Sequence, residues 1–319
     1  MIGTGETARD SLEGSVALAR LAEAAGYRRV WYAEHHNMAA IASSATSVLI
    51  AHIAANTEHI RLGSGGIMLP NHAPLTIAEQ FGTLATLHPG RIDLGLGRAP
   101  GSDQNTMRAL RQDIRSADRF PQDVQELQGY LSGNTRIPGV NATPGRGTNV
   151  PLYILGSSLY GARLAAALGL PYGFASHFAP AALEEAVSMY RREFEPSAQL
   201  DHPYVIAGVN VIAADTEADA REQFLITKRR RVALLVGFEQ QYTDAEADEI
   251  LDSPQGRHLV QMATYSAVGT PAEVKDYVEL FAKHADADEL IVAHQSPTVE
   301  QRLRSVELLA EACDLADAG

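Results

Sequence analysis

The sequence predicts an α/β fold, a TIM (β/α)8 barrel that carries a helical insertion. Three observations predict it. Strand-like and helix-like segments alternate strictly along the chain, with no break in composition. The length of 319 residues suits one barrel of about 250 residues plus insertions. Polar, titratable and glycine residues collect just after the strands, at the ends where such barrels build active sites.

The elements follow in order. Residues 12–25 form a helix: Val16, Leu18, Leu21 and Ala22 make an apolar stripe, and Gly26 stops it. Residues 27–33 are an aromatic, β-branched strand, and 46–55 a second helix. Residues 60–69 are a glycine-rich strand. Residues 78–87 are helical and end at the breaker His88-Pro89-Gly90. The third strand is "RIDLGLG", residues 91–97. Helix-like sequence fills 107–131, and a loop rich in Gly, Pro, Thr and Asn occupies 132–149. "VPLYILG" is the fourth strand, with a helix over 160–168, and "YGFASHF" the fifth, with a helix over 181–194. "YVIAGVNVIAA" is the sixth. A charged helical insertion spans 216–264. "DELIVAH" is the seventh strand, and a closing helix runs over 298–315. A barrel needs eight strands, so one is unaccounted for. Its place is before the helix at Leu12, yet residues 1–11 hold no apolar run able to form it. The expectation is one domain over residues 1–319, with the first barrel strand missing from this chain.

Charge and composition exclude several functions. Lys and Arg number 26 against 39 Asp and Glu, a net charge of −13. Such a chain is a poor partner for nucleic acid and repels anionic membranes. A single cysteine, Cys313, excludes an internal disulfide framework and any cysteine-based zinc site. No secretory segment is visible, and no run approaches the roughly 20 apolar residues of a spanning helix. A cytoplasmic protein is expected. The basic run Lys228-Arg229-Arg230-Arg231 reads as a solvated helix face rather than an anion patch.

The candidate chemistry lies at the strand ends. The first strand ends in Glu34-His35-His36. Two imidazoles and a carboxylate could bind a metal with help from His177 and His294, which end other strands. Adjacent residues leaving a strand point in opposite directions, however. Acid–base work by one of these histidines, oriented by the neighbouring carboxylate, fits better, and no metal ligand is expected. Ser64-Gly65-Gly66 places glycines inside a strand, where a flat ring stacked on the backbone would explain them. Gly95, Gly97 and Gly101 are spaced one residue too long for a dinucleotide fingerprint, which excludes that site. Arg98 is then a cation at the barrel mouth, suited to a phosphate. Gly156-Ser157-Ser158 precedes the helix that starts near Tyr160, and its free N–H groups make an anion site. One phosphate could touch Arg98 and this helix start together.

The segments "RLAEAAGYRRVWYAEHHNM", "IRLGSGGIMLPNHAPLTIAEQFGTLATLHPGRIDLGLGRAPG" and "ILGSSLYGARLAAALGLPYGFASHF" resemble the bacterial luciferase-like monooxygenase family. The resemblance implies a TIM barrel using FMN, reduced by a separate NAD(P)H flavin reductase. Reduced flavin and O2 then form a C4a-peroxide that attacks a small organic substrate. It matches His35 to the family's catalytic histidine. Gly65-Gly66 match a strand segment with a cis peptide that lies against the flavin ring. Arg98 matches the arginine that meets the FMN phosphate, and Ser157 or Ser158 with Tyr160 match the phosphate loop. Light-emitting members carry a cysteine just before that arginine, where this chain has Gly97. That speaks against bioluminescence. A homodimer is also implied. Two alternatives stand beside this reading: a deazaflavin-dependent hydride-transfer enzyme, and a flavin-binding protein without catalysis.

Overall fold

The computed structural model describes residues 2, 5–98, 103–236 and 242–317. Its centre is an eight-stranded, wholly parallel sheet. The strands are β1 (Arg29–Tyr32), β2 (Arg61–Met68), β3 (Ile92–Gly97), β4 (Leu152–Gly156), β5 (Tyr172–Phe174), β6 (Val205–Ala213), β7 (Ser266–Gly269) and β8 (Glu289–His294). Helices α1 (Ala8–Ala24), α2 (Thr46–Ala54), α3 (Pro74–Leu87), α4 (Gln104–Ala109) and α5 (Phe120–Ser132) accompany the first three strands. Then come α6 (Leu159–Leu168), α7 (Leu183–Glu193), α8 (Glu217–Leu235), α9 (Asp244–Asp252), α10 (Pro254–Met262), α11 (Pro271–His284) and α12 (Val299–Ala312). Parallel pairing needs a crossover between neighbours, and the helices supply it.

The expected alternation is present, with local corrections. The first helix starts at Ala8, four residues before the expected start at Leu12, because Thr7 and Asp10 form a reciprocal capping box. It ends before Gly26, whose φ of +84° a side chain would oppose. The long helix expected over 107–131 is divided into α4, a 3-10 turn at Ile114–Arg119 and α5. The insertion expected over 216–264 consists of α8, α9 and α10.

The strand count is corrected too. The strand that the sequence reading missed is β7, which follows the insertion directly. Both β7 and β8 pair with β6, and their partners overlap at Asn210 and Val211, so they lie on opposite edges of it. By the same overlap at Ile206 and Ala207, β5 and β8 are on opposite edges. Thus β7 takes over the edge of β6 that the three-residue β5 leaves free, and it is not the missing stave. The staves run β1-β2-β3-β4-β5-β6-β8.

The seam between β8 and β1 carries no ladder among the described residues. Side chains bring the two strands together instead. Arg29 Nε lies 2.8 Å from Glu289 Oε1, and Tyr204 Oη donates to Glu289 Oε2 at 2.7 Å. Outside the seam Tyr27 Oη donates to Val306 O of α12 at 2.9 Å, and Gly14 of α1 faces Val299 of α12. The sheet is therefore curled into a barrel that helices close where hydrogen bonds do not. Burial follows the topology: every residue of β3 and β6 is buried, and every residue of β1 and β8 is only half-buried.

Alternation along the strands sets what faces inward. Leu94 and Leu96 of β3, and Val205, Ala207, Val209 and Val211 of β6, are buried in the outer core beneath the helices. The alternate residues face the interior. At the N-terminal end that interior is a charged network. Asp93, fully buried, accepts from Arg29 at 2.7 Å, from Trp31 Nε1 at 3.1 Å, and from Arg61. Tyr153 Oη accepts from Arg29 at 2.8 Å.

Candidate active site

At the C-terminal end the interior changes character. Pairing of β2 with β3 skips a residue between Ser64 and Ile67, so Gly65-Gly66 bulge out of the ladder. The peptide joining them is cis. Gly65 is exposed in the middle of an otherwise buried strand, beside Trp31, with no side chain of its own. A Cβ on Gly66 would sit 2.7 Å from Gly95 O and from Leu155. The bulge thus offers a flat, side-chain-free platform at the mouth. Ser64 behaves differently from the glycines it precedes. Its hydroxyl is fully buried and donates to Gly95 O at 2.8 Å, bracing β2 against β3.

The Glu34-His35-His36 run is split. His35 lies just past β1 and is half-buried. Its imidazole makes no hydrogen bond with any described residue. Burial pushes it below the ordinary 6.5 of histidine and outweighs the pull of the Glu34 charge, so it is neutral near pH 7. Glu34 does not orient it. The Glu34 carboxylate, 1% exposed, accepts from His36 Nε2 at 2.8 Å, His72 Nε2 at 2.9 Å and the Met68 N–H at 3.2 Å. Burial alone would raise its pKa, but these donors hold it below the ordinary range. Glu34 is a hub that ties the end of β1 to the end of β2 and to the 3-10 turn Leu69–Asn71.

His72 is a site residue the sequence reading missed. Its signal was weak: a histidine before the helix-opening Pro74, with no partner nearby in sequence. The ligating atoms of Glu34, His36 and His72 lie within 4.8 Å of one another, the spacing of three ligands about one ion. Both imidazoles aim Nε2 at the same oxygen, at hydrogen-bond distance, and so satisfy the carboxylate directly. His294 is not part of the mouth. It shares a face with Leu290 and Val292, and its Nδ1 meets Ser305 of α12 at 2.8 Å.

A cationic corner lies across β3 and β4. Arg98, directly after β3, stacks over the Tyr160 ring at 4.0 Å and has no carboxylate partner among the described residues. Tyr160 is in the first turn of α6. Ser158 is the N-cap of that helix, but its hydroxyl makes no capping bond, and Ser157 makes none either. Gly156, at the end of β4, packs against Gly161 and Tyr172 without a side chain. The first-turn N–H groups, two hydroxyls and one guanidinium are therefore uncommitted in one place. Gly101, the last glycine of the spaced set, lies outside the described residues.

A flat platform and an anion corner at one mouth fit a planar cofactor that ends in a phosphate. The fold and this mouth place the chain in the class of parallel-barrel enzymes. Comparison with known proteins narrows the class. The luciferase-like monooxygenase family matches residues 1–287, and the chain belongs to it. The luciferase-like monooxygenase of Escherichia coli (strain K12) is 50% identical over 311 residues, covering 96% of this chain and 92% of that protein. The N-acetyl-S-alkylcysteine monooxygenase of Bacillus subtilis (strain 168) is 34% identical over 324 residues, covering 98% of this chain and 95% of that protein. Among solved structures, apo-MsnO8 superposes with a TM-score of 0.89 at 36% identity, covering 98% of this chain and 96% of that one.

Proposed function

We propose that this protein is a flavin-dependent monooxygenase. It takes FMN reduced by a separate NAD(P)H flavin reductase, consumes O2 and oxygenates a small organic substrate. One oxygen atom enters the substrate and the other leaves as water, with electrons from the reduced flavin. The observation that carries this reading is the pairing of the Gly65-Gly66 platform with the uncommitted corner of Arg98, Gly156, Ser157, Ser158 and Tyr160. The platform would take the ring system and the corner its phosphate. Ser64 supports the platform through its bond to Gly95.

His35 is the acid–base residue of this reading: neutral, half-buried and without a hydrogen bond to any described residue. Glu34 acts through His36 and His72, as a positioning group. The Bacillus subtilis relative is named for N-acetyl-S-alkylcysteines, which puts thioether sulfur among the acceptors worth testing. In the same reading the reductase is a transient partner or exchanges flavin by diffusion, the active species is a homodimer, and the protein works in the cytoplasm. No helix among the described residues is long and apolar enough to cross a membrane.

Thermal unfolding tests the cofactor. Saturating FMN is expected to raise the melting temperature, and riboflavin, which lacks the phosphate, should do so much less. Arg98→Met should weaken FMN about 10- to 100-fold and leave riboflavin nearly unchanged. An unchanged melting temperature in saturating FMN would overturn the reading. The fold alone does not choose the cofactor, since distant structures that share it carry FMN in one case and depend on coenzyme F420 in another. Stabilisation by a deazaflavin, with turnover that consumes no O2, would move the assignment to hydride transfer.

A further inference from the structure

The run Lys228–Arg231 lies within α8, where four successive residues point in four directions. Three of them are accounted for. Lys228 Nζ sits 5.1 Å over the Phe224 ring. Arg229 holds Asp248 at 2.8 Å and Asp244 at 2.6 Å. Arg230 donates to Pro297 O at 2.5 Å. Arg231 is different. It is half-buried, its single hydrogen bond is a long one to Asn210 Oδ1 at 3.4 Å, and no carboxylate pairs with it among the described residues.

Its surroundings belong to the barrel mouth. Asn210 faces inward from β6, is 2% exposed, and donates to His177 O at 2.7 Å. One turn before Arg231, Thr227 donates to Gln295 O just past β8, which fixes α8 across the ends of β6 and β8. The His177 ring, after β5, stands over Gly208, where a Cβ would come within 2.2 Å of Nδ1. That Nδ1 is buried without a partner. Burial, with the nearby Arg231 charge, lowers this histidine to about 4, so it is neutral. A buried, unpaired acceptor costs less than a buried, unpaired donor. That argument assigns the proton to Nε2, the nitrogen facing away from Gly208.

A guanidinium has five N–H donors, and desolvating it without a counter-ion is unfavourable. Among the described residues, no acidic side chain lies in an ion pair with it. We infer that Arg231, which shares Asn210 with the neutral His177, receives the carboxylate of the substrate. The substrate is then a small organic acid, bound by its anionic end on the β6–β8 side of the mouth. The Arg98 corner lies on the β3–β4 side, so the cofactor and substrate anions occupy separate positions. One cation suits a monoanion, whereas the helix start at Arg98 suits a phosphate. This inference rests on the mouth being the active site proposed above.

The test uses the full chain without flavin, so that failure of cofactor binding and failure of this inference stay distinguishable. Hexanoate, its neutral isostere hexanamide, and hexyl phosphate are titrated by calorimetry. Hexanoate is expected to bind at least about tenfold more tightly than hexanamide. Arg231→Met should abolish that preference, Arg231→Lys should keep part of it, and Arg98→Met should leave it intact. Equal binding of acid and amide, no binding of either, or a preference that survives Arg231→Met would overturn the inference. So would a preference for the phosphate. Should Arg231→Met fail to fold, Arg231→Lys and Arg231→Gln supply the same comparison. Full retention of the preference in Arg231→Gln overturns it equally.

Discussion

The two ends of the barrel interior are built from opposite materials. At the N-terminal end every charge is answered: Asp93 takes Arg29, Trp31 and Arg61, and Glu289 takes Arg29 and Tyr204. At the C-terminal end the strands carry glycines and lead into His35 and Arg98, and α8 brings Arg231; none of the three has a carboxylate partner among the described residues. Paired groups have spent their interaction free energy on the fold. Unpaired ones keep it for a ligand. Stability should therefore be lost by mutation at the floor and turnover by mutation at the mouth.

The largest effect should come from the mouth. His35→Gln removes an imidazole that holds no other described residue, so turnover should fall about 10²- to 10⁴-fold. The melting temperature should hardly move. The measurement is kcat on the first substrate found by oxygen uptake. A variant with wild-type turnover would remove His35 from the chemistry.

The floor should behave in the reverse way. Asp93→Ala breaks the buried pair with Arg29, which keeps only Glu289, and strips Arg61 of its carboxylate, at a cost of about 3–5 kcal/mol in urea unfolding. FMN binding by the fraction that stays folded should be close to normal. A loss below about 1 kcal/mol would show that the network breaks even, as buried ion pairs sometimes do.

A smaller effect appears in the dependence of stability on pH. Burial lowers His177 to about 4 and His294 to about 3, both from an ordinary 6.5. The unfolded chain takes up these protons near pH 6.5, while the native protein does not until about 4 and then 3. Native stability should thus be fully present above pH 6.5 and fall as pH drops toward 3, by at most about 1.4 kcal/mol per unit for each histidine. His294→Gln should flatten this slope, read as the urea midpoint at pH 7 and pH 5. An unchanged midpoint between those values would contradict it.

Much of this was legible in the sequence, and residue parity explains where it was not. The seven staves announced themselves by apolar runs bounded by glycine. β7 escaped because "SAVG" is four residues long and directly follows a helical stretch, too short for alternation to register. His294 was misplaced although its parity with Leu290 and Val292 turns it toward α12. Counting by twos from Leu290 would have found this. Glu34 was assigned to His35 by adjacency, whereas burial and alternation give it to His36 and to the distant His72. Asp93 lay unremarked in "RIDLGLG". A carboxylate inside a buried strand demands cations, and Arg29 and Arg61, which pair in register, were the candidates. Arg231 was grouped with its neighbours as a solvated face. Only the packing of α8 separates it from them.

The open seam has a consequence for how the protein exchanges with solvent. In a closed barrel every strand is protected by two neighbours, and amide hydrogens leave the sheet only when the whole structure opens. Here β1 and β8 each turn one edge toward a gap spanned by side chains. Deuterium should therefore enter the sheet at that gap and advance in both directions, reaching β3 and β4 last. The barrel would have a slow side and a fast side, set by connectivity alone.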